Sequence, residues 1–259
     1  MYVIKFIVRL SSFWINGAFI FALLITGFTV PASAHAAAPG MIIIVDTVAD
    51  IAASDTVCSL REAIANANSN GISYADCGSG AGDDLIEFSL GTATIVLTAI
   101  LPDITDTNGL TIDGGGTITI SGNDTHRVFY VDSGAPLLLA NLIVSDGIDN
   151  HNGGGGGIMN YGTLTVLNST FVNNNTTLSY GGGAINNNGT LTVTNSTFGG
   201  NASYYGGAIF NGSGDTATIT NSTFHGNHAL IDFGTSYGLG GGINNSGTLT
   251  IRNSNKIGD

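Results

Sequence analysis

Thr163-Leu164-Thr165-Val166 alternates polar and apolar positions, the period-two signature of a strand with one buried face. The alternation returns in TLTV from Thr190, TATI from Thr216 and TLTI from Thr248. Two more short strands fit around each copy, near Ile158-Met159 and near Thr170-Phe171-Val172 in the first. The asparagine that closes each alternating strand falls at Asn168, Asn195, Asn221 and Asn253, with separations of 27, 26 and 32. Counting back another 27 reaches Asn141 in APLLLANLIVSDG, a fifth and more divergent copy. A strand-like period in the twenties predicts a solenoid, here an all-β, right-handed parallel β-helix with three strands per turn. The copies are too rich in Gly, Asn and Thr to sustain helices.

Stacked in register, Leu164, Leu191 and Leu249 form one buried column and Phe171, Phe198 and Phe224 another. Continuing the alternation past Val166 points Asn168 inward at a corner. Stacked strands lie about 4.8 Å apart, so Asn141, Asn168, Asn195, Asn221 and Asn253 are expected to bond one another as a ladder. The NST triplets match the N-glycosylation pattern, but an inward asparagine takes no glycan. The glycine clusters 153–157, 181–183, 206–207 and 240–242 are expected to supply corners of positive φ.

One segment breaks the strand pattern. In CSLREAIANAN, from Cys58 to Asn68, Ser59 with Glu62 forms a capping box, and Leu60, Ala63, Ile64 and Ala67 share a helical face. The helix should end near Gly71. An open stack of rungs exposes its interior and its strand edges, so this helix is expected to lid the amino-terminal end.

Lys5 and Arg9 precede the apolar run Ile15 to Val30 and then PASAHAAA, the pattern of a signal peptide over 1–36, an uncleaved anchor being the other reading. Residues 37–84 then make the cap, and 85–259 the repeats, which stop in mid-rung as if truncated. Two cysteines, Cys58 and Cys77, are expected to pair in an exported chain, tying the cap helix down.

Glycine supplies 39 of 259 residues, and the formal net charge is −12, more acidic still without Lys5 and Arg9. Nucleic acid and anionic membrane are excluded as partners by that balance, and membrane contact is left to the first segment or to an anchor beyond the repeats. The segment from Cys58 resembles the CSLREA domain at the front of secreted bacterial β-helix proteins, followed by LTIDGGGTITISGNDTHRVFYVDSG from Leu110. The GGAI runs at Gly182 and Gly206, with FVNN, FGGN and FHGN, are similar to the repeats of chlamydial polymorphic outer membrane proteins. The resemblance implies a pectin-lyase-like fold and a secreted, extracellular or outer-surface location.

Such folds include polysaccharide lyases and glycoside hydrolases, so chemistry has to be weighed. A lyase needs a strong base beside acidic residues, and Arg127 is the one mid-solenoid candidate, with Asp124 and His126 beside it. A glycosidase needs two carboxylates across a groove, for which Asp103 with Asp106, or Asp146 with Asp149, are the candidates. No metal set is evident: His151, His225 and His228 read as turn residues, no cofactor is expected, and the acidic turns offer at most weak calcium binding. The expected function is noncatalytic adhesion or structural display at a surface, with polysaccharide or a host or neighbouring cell as partner. The alternative is an enzyme on acidic polysaccharide with Arg127 as its base.

Overall fold

The computed structural model describes residues 13–15, 18–20, 39–149, 153–177, 181–230 and 240–257. The chain divides into two units, Met1–Ala36 and Ala37–Asp259. In the first, Phe13–Ile15 pairs antiparallel with Ala18–Ile20. The rest of the expected signal segment lies outside the described residues. Among the described residues no helix is long and apolar enough to cross a membrane.

The second unit is a parallel β-solenoid. Each turn adds one strand to a five-stranded sheet, from Phe129–Val131 through Ile158–Asn160, Ile185–Asn187 and Ile209–Asn211 to Ile243–Asn245, which makes about five turns. A turn carries four strands rather than the expected three. In one turn these are Ile158–Asn160, Thr163–Leu167, Thr170–Val172 and Asn175–Thr176, the last only two residues long.

Register follows the repeat. Leu164 pairs with Leu191, Leu191 with Ala217 and Ala217 with Leu249. Phe171, Phe198 and Phe224 stack nearly face to face, with centroids 5.0 and 4.9 Å apart. All three rings are buried, so the column combines apolar burial with offset stacking.

The asparagines that close the strands do not point inward. Asn141, Asn168, Asn195, Asn221 and Asn253 all adopt left-handed conformations, with φ between 49 and 54°. Asparagine tolerates that region better than most residues, which suits it to a sharp corner. The left-handed residue breaks the strand alternation, so Asn168, Asn195 and Asn221 are exposed while Ser169, Ser196 and Ser222 behind them are buried. An outer ladder does exist: Asn141 Nδ2 donates to Asp113 Oδ1, Asn168 Nδ2 to Asn141 Oδ1 and Asn195 Nδ2 to Asn168 Oδ1. Burial therefore gives no ground for excluding Asn168, Asn195 and Asn221, which head the NST triplets, as glycan acceptors.

The buried ladders are elsewhere. Asn160 donates to Asn187, Asn187 to Asn211 and Asn211 to Asn245 at 2.6, 2.7 and 2.7 Å. A second column runs from Asn174 to Asn201 at 3.0 Å and from Asn201 to Asn227 at 2.9 Å. Each of these amides also reaches a backbone carbonyl, as Asn201 Nδ2 does with Phe171 O, so the amides of these two columns are paired.

Not every glycine in the clusters needs positive φ. Gly206 does, at 66°. Gly183 instead permits close approach, since a Cβ there would lie 2.4 Å from the carbonyl oxygens of Ala202 and Gly207.

The helix runs over Leu60–Ser69, with the capping box formed by Ser59 and Glu62. It packs against Pro39–Val45 and Asp83–Phe88, placing Leu60, Ala63, Ile64 and Ala67 in one core with Ile43 and Ile86. Pro39–Val45 is itself the first strand of the long sheet, so the cap segment also contributes backbone to the solenoid. Cys58 and Cys77 are joined as a disulfide, with Cα atoms 4.8 Å apart.

Candidate functional site

Arg127 lies between the strands Leu110–Ser121 and Phe129–Val131, where the chain enters the five-stranded sheet, and its guanidinium is committed to the protein. Nη2 pairs with Asp149 Oδ1 at 2.8 Å, and Nε and Nη2 donate to Gly155 O and Gly154 O, each at 3.1 Å. Asp149 Oδ2 in turn accepts from the backbone N–H groups of Gly153 and Gly154. The pair is buried, with the Arg127 side chain 14% and Asp149 2% exposed. The five-glycine run thus wraps an ion pair: Gly154 and Gly155 have φ of 77 and 70°, and a Cβ on Gly153 would sit 2.9 Å from Arg127 Nη2. An arginine held in this way anchors a loop and is poorly placed to take a proton from a substrate.

Next to it lies the most distinctive surface of the solenoid. The Arg127 guanidinium sits 5.8 Å from the Tyr130 ring centroid, and Tyr130 lies 5.6 Å from Tyr161 with the rings tilted 41°. Register explains the meeting: Tyr161 N donates to Val131 O, one turn below. Ile104 bridges Val131, which sets Asp103 beside Tyr130, while Asp132 adjoins Tyr161. Burial raises the Asp103 carboxyl above its ordinary range, the charge of Asp132 adds to this, and Arg127 opposes it. Burial, then Tyr161, Asp132 and Asp103, likewise push the Tyr130 phenol up against the pull of Arg127. Tyr161 is 40% exposed, so two aromatic rings flanked by two carboxylates face solvent on a surface otherwise rich in Thr, Asn and Gly.

The other candidates disperse. Asp106 is buried beneath the cap, its Oδ1 accepting from Asn70 Nδ2, Asn108 N and Asn108 Nδ2, all at 3.0 Å. Asp124 and Asp146 sit at stacked corners, with Asp124 N donating to Asp146 O, and Asp146 precedes the short strand Ile148–Asp149, whereas Arg127 pairs with Asp149 in that strand. His225 and His228 are exposed on separate short strands, and His151 lies outside the described residues. Glu62, Asp76 and Cys77 come together, but Cys77 is in the disulfide and Glu62 accepts from Ala53 N and Ser59 N, so this is a cap network. At the carboxy-terminal end a hollow of about 250 Å³ opens between Phe224, Ile243 and Ile251.

Two residues of the opening helix carry more than their sequence pattern shows. Arg61 pairs with buried Asp50 at 2.8 Å and donates to the carbonyls of Ala99 and Ile100. Asn66, fully buried, accepts from Ser73 N and Tyr74 N and donates to Tyr74 O and Gly78 O. The signal was a polar residue on the apolar face of an amphipathic helix, readable only once the loop that packs on it is known.

Comparison of the chain with family models, with curated proteins and with solved structures finds no match.

Proposed function

We propose that the protein is an exported, noncatalytic β-helix repeat protein of the extracellular space or outer cell surface, working in adhesion or structural display. The observation that carries this reading is the commitment of Arg127, the one basic residue in the middle of the solenoid, to Asp149 and the glycine loop. Its support from sequence is the resemblance of CSLREA and the GGAI repeats to secreted and outer-membrane β-helix proteins. The right-handed, pectin-lyase-like form belongs to the same reading, in line with the handedness that parallel crossovers prefer. No cofactor takes part.

The partner in this reading is a polysaccharide or a neighbouring cell surface, and the contact is the face of Tyr130 and Tyr161 with Asp103 and Asp132. Aromatic rings offer apolar area at low entropic cost, and carboxylates accept hydrogen bonds from hydroxyl groups. The test is retention of the purified chain on arrayed glycans and intact cells, with Tyr161→Ala and, at the other corner, Asp124→Asn. Retention lost in the first variant and kept in the second supports the reading. A folded wild-type chain that nothing retains contradicts it.

A further inference from the structure

The strands Thr163–Leu167, Thr190–Thr194, Thr216–Thr220 and Thr248–Arg252 stack in parallel and in register. Their first and third positions point outward, and in all four strands both are threonine. One column therefore runs from Thr163 through Thr190 to Thr248, and a second from Thr165 through Thr192 to Thr250. The first column is exposed and the second half-buried, while Leu164, Val166, Leu191, Val193, Ala217 and Ile219 between them are buried; in the last strand Leu249 is half-buried and Ile251 exposed.

The geometry makes this a two-dimensional lattice. Strands are spaced about 4.8 Å apart, and alternate side chains lie about 6.6 Å apart along a strand, at about 3.3 Å per residue. Threonine is β-branched and stiff at χ1, so each site offers a hydroxyl and a methyl in a restricted direction. Among the outward positions of these strands, Arg252 is the one charged residue. Each hydroxyl can donate and accept a hydrogen bond with water, so the columns present water-binding groups at the repeat of the strands, with no charged side chain between them.

Strand propensity alone does not account for the pattern. Threonine favours strands, and cross-strand Thr pairs add a few tenths of a kcal/mol, up to about 1. Yet the next strand of each turn in the same sheet keeps threonine at its first position alone, at Thr170, Thr197 and Thr223, while its third position reads Val172, Gly199 and His225. Paired threonine columns belong to one strand of the turn, not to every strand.

We propose that this face binds a crystalline surface whose own repeat is a lattice of water hydroxyls: ice. The proposal stands independently of the tyrosine face and of any glycan partner.

The experiment uses the full chain in two readouts, partitioning into a slowly growing ice shell and inhibition of ice recrystallisation. The wild type should be enriched in ice and should keep crystals small. Thr192→Tyr with Thr218→Tyr should abolish both, and Thr125→Tyr, in the exposed turn between Ser121 and Phe129, should abolish neither. Circular dichroism checks the fold, and Thr190→Lys, at an exposed site of the array, replaces the double variant if that variant does not fold. Exclusion of the wild type from ice overturns the proposal, as does full activity in the folded array variants. Retention on crystalline cellulose or chitin, lost in those variants without any effect on ice, also overturns it and reassigns the face to a flat polysaccharide.

Discussion

Asn187 Nδ2 donates to Asn211 Oδ1 at 2.7 Å inside the solenoid, while Asn187 Oδ1 accepts from Asn160 at 2.6 Å. The outer asparagines bond at 3.2 Å with water at hand. The two ladders look alike in sequence and differ in consequence.

Asn187→Ala should therefore cost more than Asn168→Ala. Removing Asn187 strands buried partners on both sides, at about 1–3 kcal/mol for each group left unpaired. Removing Asn168 forfeits a left-handed preference of about 1 kcal/mol, and Asn168→Gly should restore most of it. Denaturant midpoints of the three variants check the order, and equal losses for Asn187→Ala and Asn168→Ala would contradict it.

Much of this fold was legible because the period of the repeat and the period of the strand both appear in the letters. Leu164, Leu191, Phe171 and Phe198 declare their columns by spacing and alternation alone. The error at Asn168 arose where alternation stops: a left-handed residue shifts the phase, and φ is not written in a pattern of apolar positions. Of the candidate site, Arg127 was visible as an isolated cation, but Asp149 was read as half of a carboxylate pair. The five glycines declare a corner by composition but not the ion pair they wrap, because that pair forms between adjacent rungs. Tyr130 and Tyr161 gave no signal, since their meeting depends on the 131-to-160 register.

Arg61→Ala should loosen the cap by about 3–5 kcal/mol, the usual cost of breaking a buried pair from one side. Its Asp50 partner is 1% exposed at the side chain, so a buried carboxylate would remain with hydrogen bonds from Thr98 and Ala99 but no opposite charge. Hydrogen exchange over residues 60–69 checks this, and unchanged protection there would refute the role assigned to Arg61.

Acid should weaken the cap through the same pair. Burial pushes the Asp50 carboxyl up, but the Arg61 hydrogen bond, with Thr98 and the Arg61 charge, outweighs it, and the net shift is below 3.8. A depressed carboxylate contributes stability that is present above its unfolded pKa and is lost as pH falls through the lower folded value. Asp84 works in the opposite sense, because burial above all raises it, so the informative quantity is the difference between wild type and Asp50→Asn. That difference should shrink on acidification into the range below 3.8, and a difference independent of pH would contradict the assignment.

Replacing Cys58 and Cys77 together by serine should cost roughly 2–4 kcal/mol, the range for closing a loop of this size. The loss should concentrate in the helix and the loop that packs on it rather than in the Phe171 to Phe224 column. Proteolysis of the variant should cut within the cap first, and uniform cleavage along the repeats would speak against a local lid.

The central claim, that the solenoid binds without catalysing, is tested most directly by turnover. The full chain would be incubated with polygalacturonate and other acidic and neutral glycans, with and without calcium, following new unsaturated or reducing ends, alongside Arg127→Ala and Arg127→Lys. The account predicts no sustained turnover by any of the three proteins, and lower stability in Arg127→Ala from the loss of its bonds to Asp149 and the glycine loop. Sustained turnover by the wild type that disappears in Arg127→Ala would contradict it and make Arg127 a catalytic residue.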